Sequence, residues 1–195
     1  AENILLDDGF QFRLLKRDRD IVMVEPRVAL HPGKYFLREP LKSLKRANTA
    51  VVLDAAETDR SSIRKRLEPY IDSKVYFGKR KPLGFYSLSG DEFASAESLQ
   101  GKKAAAFCAL AEPRRFVRTL AEMGLAADKL LSFPDHARYT DREIDRLSRF
   151  FVQTQSEILL TTQKDAVKLA VHPLVSMLPI YYLKIEVEME EEFLT

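Results

Sequence analysis

The sequence predicts an α/β fold built on parallel strands, and two observations carry that expectation. Short apolar runs of strand length recur along the chain, and most are followed by a stretch with apolar residues at helical spacing. The alternation breaks once, over residues 74–88, and then resumes. Strands alternating with helices bury their apolar faces as a parallel sheet with helices on its faces.

Ile4-Leu5-Leu6 closes on Asp7-Asp8-Gly9 and reads as a buried strand, followed by a polar, basic stretch over residues 10–20. Residues 21–25 read as a second strand and 26–33 as loop. Residues 37–47 read as a helix with Leu37, Leu41 and Leu44 on one face, and 50–54 as a third strand. Asp59 or Ser61 caps a helix to about Ile71 whose apolar face carries Ile63, Leu67 and Tyr70.

Around Gly78-Lys79-Arg80-Lys81-Pro82, the residues Val75, Phe77, Leu83, Phe85 and Ser87 alternate with others. This predicts a two-stranded antiparallel ribbon that links two domains. A loop over 89–101 precedes a strand at 103–110, a helix at 112–123 stopped by Gly124, and a strand at 129–133. A helix at 140–152, a strand at 157–161, a short helix at 163–170 and a closing strand at 180–189 complete the chain. The expected boundaries are residues 1–73, a ribbon linker at 74–88, and a Rossmann-like α/β domain at 89–195.

Composition narrows the function classes. With 46% apolar and 31% charged residues, 195 residues suffice for one sizeable core or two small ones, and disorder is not expected. Lys and Arg number 31 against 29 Asp and Glu, a balance that argues against holding nucleic acid by bulk charge. The single cysteine, Cys108, lies in an apolar run and excludes a disulfide framework or a CxxC metal site. No apolar run approaches the roughly 20 residues that span a bilayer, and no signal peptide is evident, so we expect a soluble or peripheral protein. Seven glycines are about half the usual frequency of about 7%, and no Walker A or GxGxxG loop is present. A chain that opens on an apolar strand, without a lead-in, is expected to lack an N-terminal portion.

Several strand-end groups could carry chemistry. Asp7 and Asp8 close an apolar run and could hold Mg²⁺ through oxygen ligands and water, or could be a capping or solvated pair. His136, in Phe133-Pro134-Asp135-His136, follows a predicted strand and suits an acid, base or orienting imidazole, or an ordinary turn histidine. Glu39, in Arg38-Glu39-Pro40, is either a first-turn acid or a further metal ligand. Thr161-Thr162-Gln163-Lys164-Asp165 could receive a phosphate or sugar, or simply cap a helix. Arg13, Lys16, Arg17 and Arg19, with Lys42, Lys45 and Arg46, would suit lipid phosphates or form solvated faces.

Taken together, these strings resemble the tetraacyldisaccharide 4'-kinase family. The resemblance rests on Leu6-Asp7-Asp8-Gly9-Phe10-Gln11, Arg17-Asp18-Arg19-Asp20-Ile21-Val22, Leu37-Arg38-Glu39-Pro40-Leu41 and Leu44-Lys45-Arg46-Ala47. It continues in Pro113-Arg114-Arg115-Phe116, Phe133-Pro134-Asp135-His136 and Thr161-Thr162-Gln163-Lys164-Asp165-Ala166-Val167. It implies ATP-dependent phosphorylation of the 4'-hydroxyl of the tetraacyldisaccharide 1-phosphate precursor of lipid A. It also implies that the N-terminal P-loop half precedes Ala1, leaving here the remainder of a P-loop-type sheet, a linker and the C-terminal domain.

By the same resemblance, Asp7, Asp8 and Glu39 would serve Mg²⁺, while Gln11, Arg38 and Asp135 would line the nucleotide and substrate cleft. Asp8 and His136 would be catalytic, His136 pairing with an aspartate of the N-terminal half. Attachment to the cytoplasmic face of the bacterial inner membrane would come through that half, with no role for nucleic acid. The chain departs from the family pattern at Phe12, Ala109, Ala111, Gln163 and the segment before Leu37. Two other readings stand beside this one: a shortened, non-catalytic module that binds sugar or lipid phosphate, and a metal hydrolase using His136 with Asp7 and Asp8.

Overall fold

The computed structural model describes residues 3–90, 92–135 and 137–193, with the backbone alone at 174 and 176. The chain forms two compact units, one of Ala1–Lys81 with Val187–Thr195 and one of Pro82–Glu186. Both are mixed α/β units in which parallel strand pairs predominate.

In the first unit, β1 (Ile21–Met23) pairs in parallel with β2 (Thr49–Leu53), and β2 pairs in parallel with the start of β3 (Val75–Ser87). The crossovers carry α1 (Pro26–Leu30) and α2 (Glu57–Leu67). Ala50 and Val52 of β2, Phe77 of β3, and Ile63 and Leu67 of α2 are buried together. Arg60 and Arg64 lie over the Phe77 ring at 5.3 and 5.1 Å. Glu190 accepts from Arg64 Nη2 at 3.2 Å and from the Phe77 N–H at 3.0 Å, tying the chain's final segment to this core.

In the second unit the strand order is β6 (Ala127–Ser132), β5 (Ala104–Cys108), β7 (Ile158–Thr162), β8 (Ile180–Met189) and then the later part of β3. β4 (Phe93–Ala94) pairs antiparallel with β3. Every residue of β5 is buried, and successive side chains serve opposite faces. Ala104, Ala106 and Cys108, with Ile158 and Leu160, pack on Phe116 and Leu120 of α4 (Pro113–Glu122). Ala105, Phe107 and Leu159 pack on Ile144 and Leu147 of α5 (Asp141–Thr154) and Leu169 of α6 (Gln163–Leu169). The chain winds from β5 to β6 on one side, and β7 returns on the other side of β5. The carboxyl end of β5 is therefore a topological switch point, the usual crevice for ligands in open α/β sheets.

Several sequence expectations are corrected. Residues 74–88 form no hairpin: β3 is a single 13-residue strand, and the strand running beside it is β8. Gly78 suggests a turn but sits in extended strand, where no side chain fits. An added Cβ would meet Met189 Sδ at 2.6 Å, Leu53 Cδ2 at 2.8 Å and the Glu188 carbonyl at 3.1 Å. Residues 4–6 pair with no strand among the described residues, and Ile4 and Leu5 are 81% and 96% exposed. An apolar run without a sheet neighbour has nothing to hold its backbone hydrogen bonds.

Pro26, in a segment read as loop, instead opens α1 at its first position, where its fixed φ suits a helix start. Over residues 37–47 only a 3-10 turn, Leu41–Arg46, forms, because Pro40 disfavours helix at the residue before it. α2 starts earlier than expected, with Ala56 at its cap and with Glu57 and Asp59 as first-turn acids. The stretch read as loop over 89–101 holds β4 and α3 (Ala96–Leu99), which Ser95 caps by accepting from the Ser98 N–H.

The crowding at Gly78 makes a direct test. Gly78→Val adds a residue that strands favour, yet it should destabilise the chain by about 1–3 kcal/mol in urea unfolding through overpacking. An unchanged or raised midpoint would instead fit a turn at residues 78–82.

Candidate functional site

In the first unit, the acidic turn and the Arg38-Glu39-Pro40 segment meet through arginines. Asp7 and Asp8 are exposed, and Asp8 adopts a left-handed backbone (φ 52°) at the start of the 3-10 turn Gly9–Gln11. Arg38 Nη1 donates to Asp8 Oδ2 at 2.6 Å, and this contact holds the guanidinium above its ordinary range. Glu39 receives Arg46 Nη2 at 2.6 Å and Arg13 Nη2 at 3.1 Å. A hydrogen bond from Ser43 first, then those two arginines, keep its carboxyl below the usual range. Arg46 also stacks over Phe10, 4.2 Å from the ring centroid. Gln11, with Phe12, Arg13, Leu14 and Leu15, lines an open depression.

In the second unit, polar groups converge at the switch point. Asp165 is fully buried, and its two carboxylate oxygens accept three hydrogen bonds from three chain segments. The Ala109 N–H beyond β5 donates at 3.2 Å, the Tyr139 hydroxyl at 3.0 Å and the Thr162 hydroxyl at 2.7 Å. Thr162 in turn caps α6 by accepting from the Asp165 N–H at 3.2 Å, so this turn is an N-cap. The loop after β6 is tied to α6 by Lys164 Nζ, 3.3 Å from Asp135 Oδ1, and by Lys168 Nζ, 3.0 Å from the Ala137 carbonyl. Burial first, and then the Asp165 charge, raise the Cys108 thiol to about 11. The same causes, in the same order, raise the Tyr139 hydroxyl.

Asp8 and Arg38 are thus in contact, while Glu39 stands with Arg13 and Arg46. Among the described residues, no group of three or more His, Cys, Asp or Glu side chains is placed to hold a metal ion. Asp135 lies on the surface of the second unit, paired with Lys164. His136 lies outside the described residues. Sequence reasoning missed Arg13 and Arg46 as partners of Glu39, and it named Lys164 and Asp165 only as part of a strand-to-helix turn, without their contacts to Asp135, Tyr139 and Ala109. A signal for Asp165 was present: it shares a helical face with Ala166 and Leu169, all three buried.

Strands wind both ways from β5 and polar groups gather at their carboxyl ends, which defines an α/β protein with a topological switch point. No described helix is long and apolar enough to cross a membrane. The chain belongs to the family described as tetraacyldisaccharide-1-P 4'-kinase, which matches residues 1–195.

Among curated relatives, tetraacyldisaccharide 4'-kinase of Halothermothrix orenii is 36% identical over 185 residues, covering 86% of this chain and 48% of the relative. That of Koribacter versatilis is 34% identical over 194 residues, covering 96% and 53%. A solved structure, the "apo" form of LpxK from Aquifex aeolicus in complex with ATP, is 26% identical with a TM-score of 0.63, covering 95% of this chain and 52% of that one. The chain spans about half the length of the curated relatives it matches.

The shifted thiol sets a pH dependence. Cys108 and Tyr139 bind their protons more tightly folded than unfolded; the thiol's contribution is complete below its unfolded pKa of about 8.5 and is lost as pH rises toward 11, while that of the tyrosine is lost only at higher pH. Melting temperature should hold steady from about pH 7 to 8.5 and fall above it, and Cys108→Ala should make the fall shallower. Identical profiles for the two chains would contradict this account.

Proposed function

We propose that this chain is the C-terminal half of an ATP-dependent kinase that phosphorylates the 4'-hydroxyl of tetraacyldisaccharide 1-phosphate in lipid A biosynthesis. The supporting observation is the family match over residues 1–195 by a chain half as long as its relatives. The relative solved with ATP supports the choice of phosphoryl donor. We infer that the N-terminal half supplies the phosphate loop and the attachment to the cytoplasmic face of the inner membrane. Exposed Ile4, Leu5, Leu14 and Phe36 in the first unit are consistent with a surface which that half covers.

Asp7 and Asp8 suit Mg²⁺, a hard cation usually held by one or two carboxylates together with substrate phosphates. Bound there, the ion would supply positive charge against the charge that develops on the phosphates. Glu39 is engaged by two arginines, so we assign it to fixing the segment that carries Arg38. Arg38, 69% exposed at its side chain and held by Asp8, is a cation available to a phosphate. Gln11 lies beside this acidic turn and offers an amide to nucleotide or substrate. His136 takes or orients the proton of the attacking 4'-hydroxyl, and Asp135 lies next to it in the chain.

The test is to read the coding sequence upstream of Ala1 and assay the intact polypeptide with tetraacyldisaccharide 1-phosphate and ATP. We expect an upstream P-loop, Mg²⁺-dependent transfer, and none from the 195-residue chain alone. A start codon at this point, with lipid-phosphate binding but no turnover, would favour the non-catalytic module.

A further inference from the structure

We propose that α6 positions the loop following β6 for phosphoryl transfer, with Lys164 and Asp165 as positioning residues. This rests on the kinase reading above. α6 touches the loop at alternate residues on either side of position 136. Lys164 Nζ meets Asp135 at 3.3 Å, Lys168 Nζ reaches the Ala137 carbonyl at 3.0 Å, and the Tyr139 hydroxyl donates to Asp165 at 3.0 Å. Beyond the loop, His172 Nε2 lies 2.9 Å from Asp141 Oδ1, so the start of α5 is tied to the chain that follows α6 as well.

The clamp is itself fixed to the sheet, because Asp165 also accepts from the Ala109 N–H at the end of β5. A loop carrying a group that must meet a substrate hydroxyl is thereby referenced to the most buried strand of the unit. Lys164 separates positioning from stability. Its pair with Asp135 leaves the two side chains 44% and 39% exposed, and pairs of that kind contribute little to folding. A misplacement of about 1 Å at a reacting group, by contrast, can lower a rate by roughly 10²-fold.

In the intact kinase, Lys164→Ala should lower kcat about tenfold, with KM for ATP and the melting temperature nearly unchanged, and Lys164→Arg should restore most of it. In the 195-residue chain, Lys164→Ala and Lys168→Ala should each speed tryptic cleavage after exposed Arg138 several-fold. An unchanged kcat in an active enzyme would overturn the proposal, as would a kcat loss that follows melting temperature or an unaltered cleavage rate. An inactive wild-type enzyme would overturn the kinase reading instead, and the cleavage rates would still decide whether α6 clamps the loop.

Discussion

A carboxylate with no exposed surface, Asp165, sets the geometry at the carboxyl ends of three strands in the second unit. Removing such a group from water costs several kcal/mol unless its lone pairs are occupied. Here they are occupied by donors from the ends of β5 and β7 and from the loop after β6. The three segments must therefore hold fixed relative positions, because losing any one donor leaves part of a buried charge unsatisfied. The surrounding apolar layer of Phe107, Leu159, Ile144 and Leu169 sustains that demand by excluding water. The raised Cys108 and Tyr139 protons follow from the same burial and the same charge.

The first unit is organised differently. Its core of Ala50, Val52, Ile63, Leu67 and Phe77 is conventional, but residues 4–20 contribute little to it. Guanidinium groups hold that segment: Arg17 bonds Asp20 and the Leu15 carbonyl, and Arg46 reaches both Glu39 and Phe10. Planar, multiply donating arginines suit such a role, since each fixes several acceptors at once. The arrangement keeps Asp8 and Arg38 in contact and gathers charges of both signs beside an open surface, which the kinase reading assigns to a nucleotide phosphate and its cation. Under the kinase reading, the other half of the protein completes this surface.

Sequence legibility followed the balance between local and distant causes. The second unit could be read because its strands are compact apolar runs and its helices carry local signals, such as Pro113 at the start of α4 and the Thr140–Glu143 capping box of α5. β3 misled because Gly78, three basic residues and Pro82 imitate a turn, while the reason for Gly78 is packing against Leu53 and Met189, distant in sequence. Candidate residues were legible as motif members, and the contact of Asp8 with Arg38 joins two of them. What those side chains do was less legible. Asp165 occupies the third position of an ordinary N-cap, and only the sheet topology places Ala109 and Tyr139 against it.

Amide hydrogen exchange on the wild-type chain and on Asp165→Asn tests most directly whether this carboxylate joins the strand ends. The account predicts that exchange at Ala109 and across residues 137–139 accelerates selectively, while Ala105, Ala106 and Leu159 within the sheet stay protected. Unchanged exchange at Ala109, or an equal rise at every strand position, would contradict it.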